Sequence, residues 1–448
     1  MISLGIAGKP NVGKSTFFKA ATLASAEVAP YPFTTISPNI GVAAVRVRCP
    51  CVEPVVREGA RLSAGEFCGS CVEGSRFIPV QLIDVAGLVK GAHEGRGLGN
   101  EFLDDLRRAE AIIQVVDVAG ATDAEGNPVG VGEHDPVEDV ISFEEELLLW
   151  VFGILKRNWR KILRKASLER IPVARLIAEQ LAGVGVSEAQ VRTAISRSAV
   201  SEEVKDWDDE ELRRIASQIL RVSKRMVIAA NKADIAPKEN IRRLQDFIRR
   251  REREQQAGSE SSECDGSEKE ESASGSESES GREQEQERER TENGSTAVIP
   301  CSAEAELALR RAAEKGIVKY LPGDADFEIV GEVTAAQRRA LERIREFMQE
   351  NGGTGVQQVL NHAVFHLLSY VVVYPVEDEH KFSDSSGRIL PDAFLLKRGS
   401  TARDLAFAVH TDIGKHFLFA IDARTKRRLG EKYELKNNDI IKIVHTQR

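Results

Sequence analysis

Gly8–Ser15 reads GKPNVGKS, the spacing Gly-x-x-x-x-Gly-Lys-Ser. Placed between a strand and a helix, such a run turns its backbone N–H groups inward, and the helix N-terminus adds positive potential. A nucleoside triphosphate is the ligand that fits this pattern. Lys14 would reach the β- and γ-phosphates and Ser15 would ligate Mg2+, with Gly8, Lys9, Pro10, Asn11, Val12, Gly13 and Thr16 completing the cradle. A second group, NKAD at Asn231–Asp234, follows an apolar run. The Asp234 carboxylate can accept two N–H bonds, as guanine offers from N1 and its exocyclic amine. Adenine lacks that pair of donors. Hydrogen bonds to a charged group contribute about 1.5–3 kcal/mol each, so GTP is expected over ATP. Lys232 would lie along the base plane, and Ser302 and Ala303 would close the pocket with backbone N–H groups.

Two further segments bear on hydrolysis. Asp84–Asn100 reads DVAGLVKGAHEGRGLGN. Asp84 fits a carboxylate near Mg2+, and the Gly87 N–H would meet the γ-phosphate. The glycines at 91, 95, 97 and 99 would let this loop order with GTP and relax with GDP. In YPFTTISPN (Tyr31–Asn39), Thr35 would ligate Mg2+ when GTP is bound, with Thr34 as the alternative. The catalytic set is therefore Lys14, Thr35, Gly87 and His93, although His93 also fits an ordinary exposed loop residue.

The cysteines form a separate constellation. CPC (Cys49–Cys51) and CGSC (Cys68–Cys71) put Cys49, Cys51, Cys68 and Cys71 on two close turns. Four thiolates so placed could hold Zn2+ tetrahedrally at about 2.3 Å per bond. Four reduced thiols without metal are the alternative. Cys264 and Cys301 have no neighbours in sequence and read as unrelated.

These residues need a scaffold. The 448 residues exceed one core and imply two or three domains. Short apolar runs at 3–8, 41–47, 77–87, 111–119, 225–234 and 297–303 read as strands. Their alternation with helical patterns argues a parallel sheet with βαβ crossovers. Residues 120–222 change to long amphipathic helices, an insertion. No apolar run is long enough to span a bilayer, so no membrane contact is expected. The start, MISLGIAGKPNVGKST, is not read as a secretory signal, so a cytoplasmic setting with reduced thiols is expected. The net charge is −8, yet residues 251–292 alone hold 15 acidic and 6 basic residues. That segment has almost nothing apolar to bury and reads as disordered. It is either a solvated insertion or a partner-binding tail. From Ser369 onward the pattern is strand-rich, with TARDLAFAVHTDIGKHF read as one helix whose Thr401 and Asp404 have capping-box spacing. The domain reading is 1–120 and 223–368 for the nucleotide domain, with a disordered insertion at 251–294, 121–222 for the helical insertion, and 369–448 for the C-terminal domain.

Together GKPNVGKST, YPFTTISPN, DVAGLVKGAHEGRGLGN, NKAD and PCSAEAELAL resemble the Obg-family GTPases, specifically the YchF-like subgroup in its archaeal form. The resemblance implies an α/β P-loop NTPase domain with an inserted helical domain and a small α+β, ubiquitin-like TGS domain at the C-terminus. It implies a GTP-hydrolysing switch that cycles between GTP and GDP, associates with the ribosome or structured RNA, and works as a monomer. Two other readings stay open: a nucleotide-sensing RNA- or ribosome-binding module with incidental hydrolysis, and an ATP-hydrolysing stress-response regulator. Leu88 stands where better-known GTPases keep a water-orienting Gln, so slow intrinsic hydrolysis is implied. Asn11 resembles an Asn that helps to bind K+ in related GTPases, or is an ordinary loop-stabilising residue. In the C-terminal domain, 14 basic residues face 11 acidic ones from 369 to 448. Arg424, Lys426, Arg427 and Arg428 cluster at a turn there, an expected RNA contact or else a solvated basic hairpin. With no aromatic ladder nearby, backbone and shape recognition is expected.

Overall fold

The computed structural model describes residues 1–28, 35–37, 39–85, 107–198, 200–201, 204–260 and 296–446. Seven strands form the main sheet: β1 Ser3–Ala7, β2 Thr35–Ser37, β3 Ile40–Arg48, β4 Ser75–Asp84, β5 Ala111–Asp117, β6 Arg225–Asn231 and β7 Val298–Pro300. Their order is β2-β3-β4-β1-β5-β6-β7. All pairings from β4 to β7 are parallel, whereas β2, β3 and β4 pair antiparallel. The sheet is thus mostly parallel, with an antiparallel edge. β5 is buried at every position, as a central strand covered on both faces must be. Helix α1 (Lys14–Val28) follows the phosphate loop. β3 and β4 stay in register from Ile40↔Ile83 to Arg48↔Ser75. The 49–74 connection between them, with helix α2 (Pro54–Gly59), therefore leaves and re-enters at adjacent points.

Four helices make the insertion: α3 Pro136–Glu169, α4 Val173–Gln180, α5 Glu188–Arg197 and α6 Asp209–Ser223. In α3, Phe143, Leu147, Val151, Leu155 and Trp159 recur every four residues and are buried, giving one apolar stripe. Trp159 stacks on Trp207 at 5.6 Å. Capping boxes start α5 at Ser187 and α6 at Asp208.

Helix α7 (Lys238–Glu260) corrects one expectation. Residues 251–260 are helical, not disordered. Arg251 pairs with Glu144 at 2.6 Å, and Glu252 accepts from the Thr296 N–H at 2.6 Å, so tertiary contacts extend the helix into the acidic segment. The remainder of that segment, 261–294, lies outside the described residues, as does Cys264.

Helices α8 (Ala303–Glu314), α9 (Ala335–Asn351) and α10 (Val356–Asn361) follow, with the small pair β8 (Val318–Lys319) and β9 (Glu328–Ile329). The C-terminal domain is a five-stranded sheet of β10 Tyr370–Val376, β11 Phe394–Lys397, β12 Phe417–Asp422, β13 Arg428–Leu429 and β14 Asp439–His445. Its order is β11-β10-β14-β12-β13. The stretch expected as one helix is two, α11 (Ala402–Val409) and α12 (Thr411–Lys415). His410 is extended between them (φ −161°, ψ 140°), and its Nδ1 accepts from the Asp412 N–H, so it caps the second helix. The Thr401–Asp404 capping box forms as read. No helix among the described residues is long and apolar enough to cross a membrane.

Candidate functional site

The phosphate loop spans the turn from β1 to α1. Gly8 (φ +148°) and Gly13 (φ +97°) both need glycine. A Cβ would fall 2.4 Å from the Val115 carbonyl oxygen at Gly8 and 2.3 Å from Asn231 Nδ2 at Gly13. Lys14 Nζ donates to Gly8 O (2.8 Å) and Lys9 O (2.7 Å), which holds the ammonium inside the loop. Burial lowers the Lys14 pKa, and the Asp84 carboxylate partly offsets this. Ser15 is exposed and Thr16 partly exposed in the first turn of α1, and Val12 is buried. Asp84 ends β4 and sits in register with Ile6 of β1, one strand from the loop. The chain thus brings Lys14, Ser15 and Asp84 to one end of the sheet. Such a set of a hydroxyl and a carboxylate beside an ammonium suits Mg2+ bound to phosphates.

Two loop residues have partners that the motif does not announce. Lys9 turns away from the cradle: it pairs with Asp139 at 2.7 Å and donates to Thr122 O at 2.9 Å. His134 Nε2 meets the same Asp139 oxygen at 2.7 Å. Asp139 belongs to α3, so this buried trio ties the phosphate loop to the helical insertion. Burial raises the Asp139 pKa, against the opposing pull of Lys9 and His134. Asn11 takes a positive φ (61°) and donates its amide to Gly126 O at 3.0 Å.

The base loop is braced from both sides. Asn231, 3% exposed, donates to Val12 O (2.8 Å) and accepts from the Ala303 N–H (3.0 Å). Lys232 pairs with the buried Asp117 at 2.7 Å, and Thr122 Oγ donates to that carboxylate as well. Asp234 is exposed beside them. The expected N–H groups of Ser302 and Ala303 are already in use: Ser302 N–H donates to Thr354 O and Ala303 N–H to Asn231. These two residues shape the pocket wall by holding its loops. Behind them Glu306, fully buried, accepts from Tyr320 (2.6 Å), Arg310 and Thr354.

Thr35 opens β2, its backbone opposite Gly41. Thr34, Gly87, Leu88, His93 and the glycines at 91, 95, 97 and 99 lie outside the described residues.

The four cysteines do meet. Cys49, Cys51 and Cys68 are buried and Cys71 partly so, and their sulfurs lie within 4.8 Å of one another. Cys49–Cys68 and Cys51–Cys71 are separated by 3.7 and 3.5 Å. Disulfide sulfurs would be about 2.05 Å apart. Sulfurs around a tetrahedral ion at about 2.3 Å stand roughly 3.8 Å apart, so the donor set fits zinc. The shared bond to Cys49 pushes Cys51 down to about 7. Cys68 is also lowered, chiefly by Cys49, while Cys49 and Cys71 are raised. Cys301 is separate, buried behind Asn231, and burial raises its pKa.

The basic turn of the C-terminal domain is only partly free. Arg424 makes a two-pronged pair with Glu53 (2.7 and 2.8 Å) and donates to Asn438 O. It is a strut between domains, which removes it from the expected RNA surface. Lys426 lies over the Phe382 ring at 4.8 Å and donates to Ala423 O and Glu379 O. Arg428 stacks on Phe419 at 3.8 Å, and Arg427 is exposed.

Sequence asked nothing of Asp117, Asp139, His134, Glu306, Glu53 or Tyr374. Apart from Glu306, which falls within PCSAEAELAL, none lies in a quoted motif.

Three family models match. Residues 3–148 match "50S ribosome-binding GTPase", residues 280–378 match "Obg-like GTPase YGR210-like, G4 motif-containing domain", and residues 387–445 match "TGS domain". A GTP-binding protein of Methanocaldococcus jannaschii is 46% identical, with 99% of each chain covered. A protein of Bacillus subtilis named ribosome-binding ATPase YchF is 29% identical over 55% of this chain and 62% of its own. The crystal structure of a GTP-binding protein from Pyrococcus horikoshii shares 40% identity, covers 99% of this chain and 100% of its own, and superposes with a TM-score of 0.67.

Proposed function

The chain belongs to the Obg-like GTPases with a C-terminal TGS domain, and from that premise we propose that it is a switch that reports GTP or GDP to the ribosome. It binds and hydrolyses GTP as a member of that family. The observation that carries the site reading is Asn231, which joins the phosphate loop at Val12 to the closing loop at Ala303 while leaving Asp234 exposed for guanine.

In this reading Lys14 exchanges its two loop carbonyls for β- and γ-phosphate oxygens. Ser15, Thr35 and Asp84 would hold Mg2+, which neutralises phosphate charge when bound. Gly87 and His93 are proposed to face the γ-phosphate, and Leu88 offers no group to orient water, so hydrolysis awaits a partner. Asn11, its amide nitrogen held by Gly126, would offer Oδ1 to K+. The cysteine quartet is proposed to hold zinc. The proposed setting is the cytoplasm, where reduced thiols and ribosomes coexist. A monomer is the proposed working form. Arg427 and Arg428, with Lys426, are the proposed RNA-facing cations. The relative named for ribosome binding supports that partner.

That relative is also named an ATPase, which favours a second reading in which ATP is the substrate. Titration with labelled GTP and ATP decides: the guanine reading requires GTP to bind at least tenfold tighter. Pelleting with ribosomes in GDP and in a nonhydrolysable GTP analogue tests the switch. Nucleotide-independent pelleting would leave a binding module with incidental hydrolysis, and GTP turnover unchanged by ribosomes would reject the partner.

A further inference from the structure

The connection from 49 to 74 has little to fold around. Besides Cys49, Cys51 and Cys68, its buried apolar side chains are Pro50 and Val56. A stretch of this length with so small a core needs a staple. Yet the C-terminal domain rests on this connection. Glu53, directly after the Cys49–Cys51 turn, holds Arg424 in two bonds. Gly59 lies so close to the C-terminal domain that a Cβ would stand 2.6 Å from both the His380 carbonyl oxygen and the Phe382 ring. Arg76, just past the CGSC turn, donates to Leu390 O (3.0 Å) and Pro391 O (2.7 Å). The three buried cysteines share one core with Val372, Tyr374, Val376, Phe382 and Leu390.

Tyr374 sits at the centre of this contact. Its side chain is fully buried, and among the described residues its hydroxyl has no hydrogen-bond partner. A buried hydroxyl left alone costs about 1–3 kcal/mol. Its ring lies in the same buried core as Cys49, Cys51 and Cys68.

We infer that zinc on Cys49, Cys51, Cys68 and Cys71 builds the seat of the C-terminal domain, so that metal occupancy controls interdomain docking. This rests on the zinc assignment proposed above. Zinc folds the connection. The folded connection presents Glu53, Gly59 and Arg76 to the C-terminal domain.

The test uses the full chain. Zinc is counted by elemental analysis, then removed with a chelator and restored. Amide hydrogen exchange is followed over 370–376 and 380–391. The expected result is about one zinc per chain, exchange over those segments at least tenfold faster after removal, and recovery when zinc returns. Zinc present and removable with unchanged exchange would overturn the docking role and leave the metal assignment standing. No zinc in the purified chain and none taken up on titration would remove the metal assignment, and this inference with it. Cys68→Ser with Cys71→Ser isolates the metal. It should lower the zinc count and reproduce the faster exchange without chelator, and wild-type exchange in a variant that has lost its zinc would refute the docking role. GTP affinity serves as the control for folding.

Discussion

Asn231→Ala should damage the protein twice over, and the size of the effect follows from its two bonds. The side chain is 3% exposed. It satisfies the Val12 carbonyl at 2.8 Å and the Ala303 N–H at 3.0 Å, and both residues are buried, at 0% and 1%. Alanine reaches neither, so two backbone groups lose their partner at once. A buried polar group left unsatisfied costs about 1–3 kcal/mol, which brackets the total at about 2–6 kcal/mol. The nucleotide pocket lies open to water next to Asn231, which relieves part of that cost and favours the lower end, about 2–3 kcal/mol. Denaturant unfolding followed by circular dichroism should show a clear fall in midpoint. A drop of that size should also slacken the link between phosphate and base loops, weakening GTP, GDP and ATP alike by tenfold or more. Asn231→Asp is the informative partner. It keeps the acceptor for Ala303 but sets a carboxylate against the Val12 carbonyl, so it should be no better than alanine. If Asn231→Ala unfolds within about 0.5 kcal/mol of wild type, the two bonds are not holding the loops, and the bracing argument is wrong.

Asp234→Asn should leave stability unchanged, because Asp234 is exposed, while weakening GTP roughly tenfold or more and favouring xanthosine triphosphate; equal GTP and ATP affinities in wild type would refute the base-reading role. Arg424→Ala should loosen the C-terminal domain through loss of the Glu53 pair, whereas Arg427→Ala with Arg428→Ala should weaken salt-sensitive ribosome pelleting without touching GTP affinity; the reverse pattern would exchange their assignments. Deleting 261–292 with a short linker should leave GTP binding nearly unchanged, since loop length acts only logarithmically, and loss of binding would show that the segment supports the guanine pocket. Lys224, 6% exposed and bonded to Ala109 O, has its pKa lowered by burial from 10.5 to about 8. Between those values the unfolded chain holds a proton that the folded chain has shed, so stability should rise with pH from about 8 to 10.5, by about 3 kcal/mol at most. Lys224→Met should flatten that rise in unfolding midpoints taken across the range, and an unchanged slope would reject the assignment.

What was legible in the sequence was local. The phosphate loop, the NKAD turn and the strands beneath them depend on contiguous residues, because a turn between strand and helix is set by the glycines and hydroxyls within it. The capping box at Thr401 was readable for the same reason. The break at His410 was not. The run 401–417 keeps helical composition throughout, and the bend comes from a side chain that caps its own successor and from Gly414 packed against Phe407. Residues 251–260 misled in the opposite direction. Their composition is that of a disordered tail, but Arg251 and Glu252 find Glu144 and Thr296, and these contacts stabilise helix that propensity alone would leave frayed.

A cation in a motif serves a ligand only if no carboxylate of the chain has already claimed it. Lys9, Lys232 and Arg424 were all read as facing nucleotide or RNA, and all three are paired, with Asp139, Asp117 and Glu53. Their partners lie 130, 115 and 371 residues away. No spacing rule links such positions, because only the folded sheet brings them together. The Lys9 pair has a consequence for the switch. Lys9 O and Gly8 O are the carbonyls that hold Lys14, while the Lys9 ammonium holds α3. A phosphate that draws Lys14 off those carbonyls therefore acts on a residue that grips both the cradle and the helical insertion. The three-way contact of Lys9, Asp139 and His134 is a direct route from phosphate to that insertion. Lys9→Met should keep GTP binding, since the cradle is built from backbone groups and Lys14. It should uncouple ribosome pelleting from the nucleotide present. Nucleotide-dependent pelleting that survives this change would place the coupling elsewhere.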